Sequence, residues 1–264
     1  MNGQIAVVTG AGSGIGRATA HALAAKGARV AICDVDRTRV DAVAAELGER
    51  LLLARTVDVA DRAQMAAFAG AVHEHVPAAD IVVNNAGVAV AGNFIDTSLD
   101  DVDWLLGINL RGVVYGCHFF APQMAKRGHG QLINIASIFG IFPAPRSTAY
   151  VASKFAVLGF SQSLRSELAP HGVGVTAICP GMIATQIVAD SRTTVEAATT
   201  RSKIVETFKK RGAPPSKVAE AILDAVRTNP AVRTVGTDAR VLAAMFRASP
   251  KLATKIGAMV SRRT

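Results

Sequence analysis

With 264 residues, half of them hydrophobic and 19% charged, the chain holds enough apolar material for one large folded domain and too much for a disordered one. No apolar run reaches the roughly 20 residues that span a bilayer, and "MNGQIAVVTG" shows neither a positive region ahead of an apolar stretch nor a cleavage-like site, so a cytoplasmic protein is expected. The net charge of +9 is uneven: from Arg201 onward 14 Lys or Arg face 4 Asp or Glu, while the first 200 residues carry a net −1, which argues against a uniformly basic nucleic-acid binder.

In chain order, strands and helices alternate. "IAVVT" (5–9) leads through "GAGSGIG" to a helical "RATAHALAAKG"; "ARVAICD" (28–34) leads to "RTRVDAVAAELG"; "LLLARTVD" (51–58) leads to "RAQMAAFAGAVHEH". "ADIVVNNAG" (79–87) precedes a long helical stretch from about Leu99 to Lys126, "GQLINIAS" (130–137) precedes a helix through "TAYVASKFAVLGF", and "GVGVTAICPG" (172–181) closes the regular part. The strands are short and continuously apolar, as in sheets covered on both faces. Repeated βα units predict an α/β fold, a doubly wound parallel sheet with helices on both faces. No linker or repeat divides the chain. We expect one domain over 1–237, with a variable segment at about 186–212, and a basic helical tail over 238–264.

Cys33, Cys117 and Cys179 lie far apart among apolar neighbours without a C-x-x-C pair, which fits buried reduced thiols. The six histidines form no ligand-like set. His73 and His75 diverge on a helix at i,i+2, and no metal is expected.

The run Gly10-Ala11-Gly12-Ser13-Gly14-Ile15-Gly16 joins the first strand to the first helix. Glycines let a backbone turn sharply against a pyrophosphate, whose charge the helix N-terminus then meets. Asp34 closes the second strand, where a carboxylate can bond ribose hydroxyls and repel a 2′-phosphate. NAD is therefore favoured over NADP. Arg17 and Arg37 are the cations that could otherwise turn toward such a phosphate.

Tyr150 and Lys154 stand four apart on a helix, hence on one face, with Val151, Phe155 and Leu158 as the neighbouring apolar stripe. Together with Thr9-Gly-x-x-x-Gly-x-Gly, "NNAG" (84–87), Asn109 in "GINLRGVVYG", Ser137 in "INIAS" and "PGMIAT" (180–185), this pair makes the chain resemble the short-chain dehydrogenase/reductase family in its compact single-domain form. The motifs fall in family order over roughly the first 190 residues, Ser137 preceding Tyr150 by 13. The resemblance implies hydride transfer between NAD(H) and a secondary alcohol or ketone. In that scheme Tyr150 is general acid/base, Ser137 a donor to the substrate oxygen, and Lys154 a holder of the nicotinamide ribose. Asn109 would anchor a water that relays protons. Lys154 and a positive nicotinamide ring are expected to lower Tyr150 by roughly two to three units from its usual value near 10. By the same resemblance Asp58 and Val59 flank the adenine, Asn85 and Gly87 lie beside the adenosine ribose, and Ile183 and Thr185, after the Pro180-Gly181 turn, hold the carboxamide.

The C-terminal end departs from the family. Relatives of this size commonly finish with a strand and a Gly-rich tail at a tetramer interface, whereas here a short strand at about 231–236 is followed by helix from about Ala239. Homodimer or homotetramer pairing through the Asn109 and Tyr150 helices is expected. In the tail, Leu252, Ile256 and Met259 recur at helical spacing among Lys251, Lys255, Arg262 and Arg263, a pattern that suits peripheral membrane contact or, more simply, a docked helix. Phe139, Ile141 and Phe142 suggest an apolar substrate, lipid-, terpenoid- or steroid-like, with small acetoin-like alcohols as the alternative. A non-catalytic dinucleotide sensor on the same fold is the competing class.

Overall fold

Strand β1 (Ile5–Thr9) buries all five side chains, and sequence neighbours part company across it. Ala6 and Val8 belong to one apolar cluster, Ile5 and Val7 to another, as the period-2 alternation of a strand requires. In this computed structural model residues 1–249 are described, with Glu196 and Thr200 described by backbone alone.

The main-chain order is β1, α1 (Gly14–Ala25), β2 (Arg29–Asp34), α2 (Arg37–Leu47), β3 (Leu51–Thr56), α3 (Arg62–His75), β4 (Ile81–Asn84), β5 (Val90–Ala91), α4 (Leu99–Leu106), α5 (Gly112–Arg127), β6 (Gly130–Ile135), α6 (Thr148–Leu168), β7 (Val173–Pro180), β8 (Arg192–Thr193), α7 (Val195–Arg211), α8 (Pro215–Thr228), β9 (Val232–Val235) and α9 (Thr237–Ala248). Seven strands form one parallel sheet in the order β3-β2-β1-β4-β6-β7-β9. Helices α1, α2 and α8 supply Leu23, Val40, Val43 and Ile222 to the cluster on one face; α3, α5 and α6 supply Phe68, Phe120, Met124 and Val157 to the other. The order reverses direction between β1 and β4, the topological switch point where such sheets open a crevice.

Over the described residues the expected strands and helices are present, with four refinements. The fourth strand is shorter than 79–87, because after Asn84 the chain turns into the crevice. The stretch from Leu99 is interrupted by a π turn, Gly107–Arg111, between α4 and α5. Beyond the main sheet, β5 and β8 form a small parallel pair, Val90 opposite Arg192 and Ala91 opposite Thr193. The final helix starts at Thr237, two residues before the expected point. Leu252, Ile256 and Met259 lie outside the described residues. Cys33, Cys117 and Cys179 are buried and unpaired; burial pushes the Cys117 and Cys179 thiols up to about 12. Among the described residues no helix is long and apolar enough to cross a membrane.

A polar chain runs under the sheet just behind the crevice. Asn84 Nδ2 donates to Asn134 Oδ1 at 2.8 Å, Asn134 Nδ2 to Ser161 Oγ at 3.0 Å, and the Ser161 hydroxyl to Val157 O at 2.7 Å. Gly116 on α5 makes room for it, since a Cβ there would stand 1.9 Å from Asn84 Oδ1. Gly116→Ala must therefore displace a buried amide, at a cost of about 2–4 kcal/mol. The control is Gly70→Ala on α3, where a Cβ meets nothing within 4 Å; helix propensity makes that change neutral or stabilising. Thermal melts of the two variants check this: a clear drop is expected for Gly116→Ala only.

Candidate active site

The ends of β1, β4, β6 and β7 carry the glycine loop, Asn85, Ser137 and the Pro180 turn, and the ends of β2 and β3 carry Asp34 and Asp58. The loop after β1 is set by sterics: Gly10 has φ +62°, and a Cβ on it would fall 2.7 Å from Ala86 Cα. Asn85 fastens this loop. Its Nδ2 donates to Thr9 O at 2.9 Å and Gly10 O at 3.0 Å, while its backbone N–H donates to Thr9 Oγ1 at 3.0 Å. The amide placed by resemblance beside the adenosine ribose is thus already occupied in holding the glycine loop. Ser13 precedes α1 but makes no side-chain cap bond. The first-turn N–H groups around Gly14, Ile15 and Gly16 consequently form an uncapped, positively polarised helix end of the kind that takes phosphate.

Asp34 stands at the far side of this loop. Its Oδ2 accepts from Gly12 N at 2.9 Å and its Oδ1 from Asp36 N at 3.1 Å, which leaves further lone pairs on both oxygens for hydroxyl donors. The two arginines weighed for a phosphate are engaged elsewhere. Arg17 binds Glu46 with Nε at 3.0 Å, and Arg37 lies 3.6 Å from Asp41 on an exposed face. Arg39 is instead the cation beside Asp34: a Cβ on Gly12 would meet Arg39 Cβ at 2.7 Å and Asp34 Oδ2 at 2.9 Å. Asp58 turns its Oδ1 onto the N–H of Ala60 at 2.9 Å, and Val59 is buried against Gly112. Past Pro180, Ile183 is buried and pairs with Ala213, while Thr185 Cγ2 lies 3.2 Å from where a Cβ on Gly14 would be. The 183–185 segment thus lies against the glycine loop.

The catalytic set converges from α6, the end of β6 and the π turn. Lys154 is only 3% exposed. Its Nζ donates to Ile135 O at 2.9 Å and sits 5.7 Å from the centroid of the Tyr150 ring. Gly87 borders the same space, 3.5 Å separating its notional Cβ from that Nζ. Ser137 Oγ accepts from Phe139 N at 3.1 Å, capping the short turn Ile138–Gly140, and its side chain stands close enough to the Tyr150 phenol to favour the ionised form. Because the backbone N–H fills an acceptor site of Ser137, its proton is free to be donated.

In the chain alone, burial pushes the Tyr150 phenol up to about 12, with Ser137 acting in the opposite direction. Burial likewise brings Lys154 down to about 8, with Cys179 nearby acting the other way. Desolvation disfavours the charged form of each. Asn109 serves as a fixing. Its Oδ1 accepts from Val88 N at 2.8 Å, and its Nδ2 donates to Val88 O at 2.9 Å and Ser153 Oγ at 3.2 Å. Both Nδ2 hydrogens and one Oδ1 lone pair are thereby used in pinning the strand-end loop, within a π turn that disturbs the regular carbonyl ladder.

Sequence reasoning missed three participants. Arg39 was passed over for Arg37, two positions away and pointing elsewhere around the helix. Ser153 carries the Asn109 contact, and its hydroxyl donates to Tyr150 O at 2.7 Å. Asp238 Oδ2, in the first turn of α9, accepts from Met182 N at 2.7 Å, tying the last helix to the segment after Pro180. Only the helix-start position of Asp238 hinted at a capping role. Near Ser137, Phe139, Ile141 and Phe142 pack with Ala239, Leu242 and Phe246 of α9, and the Phe139 ring meets Tyr150 edge-on at 6.3 Å.

The short chain dehydrogenase family pattern matches residues 4–196. "Probable oxidoreductase EphD" of Mycobacterium tuberculosis (strain ATCC 25618 / H37Rv) is 41% identical over 255 residues, covering 92% of this chain and 43% of that protein; the chain spans less than half the length of this relative. D-threitol dehydrogenase of Mycolicibacterium smegmatis is 40% identical over 189 residues, 71% of this chain and 73% of that one. A short chain dehydrogenase/reductase of Burkholderia phymatum, solved in complex with NAD, superposes with a TM-score of 0.88 at 27% identity over 95% of each chain. The closed form of serine dehydrogenase, TM-score 0.80 at 27% identity over 88% of this chain and 94% of that one, was solved with NADP+, so solved neighbours hold either dinucleotide. With its strand order, its glycine loop and its Ser137, Tyr150 and Lys154 cluster, the chain belongs to the short-chain dehydrogenase/reductase family of oxidoreductases.

Proposed function

We propose that this protein is an NAD-dependent dehydrogenase or ketoreductase that interconverts a secondary alcohol and its ketone, with Tyr150 as general acid/base. One observation carries the reading: a buried ammonium, a serine hydroxyl with a free proton and a phenol meet at the end of the parallel sheet, beside a glycine loop whose helix end is uncapped. When bound, the dinucleotide supplies the hydride acceptor or donor. Gly10, Gly12, Ser13, Gly14, Ile15 and Gly16 would carry its pyrophosphate, Asp34 its adenosine ribose, and Thr185 its nicotinamide end.

The chain's own groups keep the proton on Tyr150, which suits an acid delivering it to a carbonyl oxygen. The reverse role, taking a proton from a substrate hydroxyl, requires added positive charge beside the phenol, and an oxidised nicotinamide ring carries one. Ser137 donates to the substrate oxygen where charge develops. Lys154, directed at the space between Ile135 and Gly87, is placed to hold ribose hydroxyls. Asn109 acts as a positioning residue through Val88.

The wall formed by Phe139, Ile141, Phe142, Leu242 and Phe246 favours a hydrophobic substrate. The D-threitol dehydrogenase relative gives weight to a small hydroxylated one, so both belong in the substrate panel. A non-catalytic sensor would have no use for a serine hydroxyl set beside the Tyr150 phenol. For partners, a second copy of the chain is the fitting one: α5 and α6 leave an apolar groove lined by Val114, Ala121, Pro122, Phe160, Leu164 and Leu168.

Turnover of a panel of secondary alcohols and ketones with NAD(H) and NADP(H), followed at the reduced-nicotinamide absorbance, tests the reading. Tyr150→Phe is expected to cut kcat by about 10²–10⁴-fold while the NAD+ dissociation constant stays within about threefold; wild-type turnover in the variant would remove Tyr150 from the mechanism.

The lysine makes a separate prediction. Folded Lys154 titrates at about 8 against 10.5 for a free lysine, so the folded state binds its proton less tightly than the unfolded state. Its charge therefore opposes folding below pH 8, and that penalty fades as pH rises toward 10.5. Tyr150, raised from 10.0 to about 12, acts in the opposite sense only above pH 10. Urea unfolding at pH 7 and 9.5 should show wild type gaining about 2 kcal/mol relative to Lys154→Met. Parallel pH profiles for the two proteins would mean that the ammonium is not desolvated.

A further inference from the structure

The reading above makes Asp34 the residue that prefers NAD, yet Arg39 stands next to it, and an arginine there is the usual recipe for accepting a 2′-phosphate. What the guanidinium touches resolves the conflict. Nε lies 3.1 Å from Asp36 Oδ2, and Nη1 lies 3.7 Å from Asp190 Oδ2. Asp36 also caps α2, its side chain accepting from the Arg39 backbone N–H at 3.1 Å. Asp190 comes from the other side of the crevice. It ends the segment that begins with Thr185 against Gly14, so that segment follows the glycine loop from the start of α1 to the start of α2. Two carboxylates, Asp36 and Asp190, therefore flank one guanidinium at the adenosine end, on a side chain whose Cβ lies with Asp34 against Gly12.

We propose that Arg39 is the residue that selects between the two dinucleotides, and that Asp36 and Asp190 hold it in the setting that accepts a ribose hydroxyl and refuses a phosphate. The proposal rests on the dinucleotide-binding reading and deepens it. A 2′-phosphate brought to Asp34 meets an excess of negative charge, and the cation that could offset it is already paired on both sides. A neutral 2′-hydroxyl meets no such cost. The pairs are half-exposed, so each is weak singly and screened by salt. The selection comes from their number and from the fork geometry that lets one guanidinium serve two carboxylates.

Isosteric substitutions test it, with NAD+ and NADP+ dissociation constants measured by calorimetry at low and moderate salt. Asp190→Asn, which leaves the α2 cap untouched, is expected to tighten NADP+ by about threefold. Asp36→Asn with Asp190→Asn is expected to tighten it by about tenfold or more, the gain shrinking with added salt, while NAD+ stays within about threefold and so certifies the fold. Adding Arg39→Gln to the double variant should abolish the gain. An unchanged NADP+ affinity in the double variant, with NAD+ binding intact, overturns the proposal. So does a gain that survives Arg39→Gln, since relief of repulsion alone would then explain it. A wild-type protein that binds neither dinucleotide would sink the oxidoreductase reading itself, an outcome plainly different from an altered preference.

Discussion

A lysine ammonium taken almost entirely out of water is the costliest feature of this molecule, and the architecture around the crevice follows from accommodating it. Lys154 has Ile135 O as its hydrogen-bond acceptor and a depressed affinity for its proton. In isolation that is an unfavourable place for a charge. It becomes intelligible as half of a binding site, where hydroxyl groups of a bound partner complete the ammonium's donor set. Gly87 borders the same space, a notional Cβ there coming into ordinary contact with both Lys154 Nζ and Asn109 Oδ1. Asn109 in turn clamps Val88 through both its polar atoms and reaches Ser153 on the lysine's own helix. The π turn that carries Asn109, the strand-end loop and α6 are thereby joined into one rigid frame around a single charge.

Asparagines do much of the remaining construction. Asn84 and Asn134 link β4 to β6 beneath the crevice, and Asn85 holds the glycine loop by two of its carbonyls. A loop of glycines has little intrinsic preference for one shape. Here its shape is imposed from β4 by Asn85, from β2 by Asp34 and from above by Thr185. The residues a family resemblance assigns to ligand contact are, in several cases, first of all the fixings that keep the binding surface in position. Losing one would be felt as a loosened site and as lowered stability together.

The sheet was legible in the sequence because each strand is a short apolar run bounded by turn residues, a signal that depends on a few neighbours only. The Tyr150–Lys154 pairing was legible for the same reason, since four residues of helix fix it. What could not be read depends on tertiary placement. The β5–β8 pair joins two-residue strands about a hundred positions apart, helped by Arg192, which stacks 3.9 Å from the Trp104 ring and bonds Asp101 at 2.9 Å. Nothing local announces such a pair. Arg39 and Arg37 look equivalent in sequence and differ only in which side of α2 faces the glycine loop. Proximity of Tyr150 to a cation is visible in a helix pattern, whereas the burial that raises its pKa in the chain alone is not.

That sign changes how the chemistry is balanced. Burial drives both members of the pair toward their neutral forms, Lys154 to about 8 and Tyr150 to about 12, so the chain alone sets Tyr150 as a proton donor. Oxidised nicotinamide carries a positive charge that reduced nicotinamide lacks. On the proposed reading, the same phenol is therefore pulled toward its ionised form only when the cofactor is ready to accept hydride, and keeps its proton when the cofactor is ready to give hydride up. A tyrosine already lowered by its lysine would be a base in both states and a poor acid for the reduction. An environment that opposes ionisation until the oxidised ring arrives lets one side chain serve both directions, with the redox state of the bound dinucleotide deciding which.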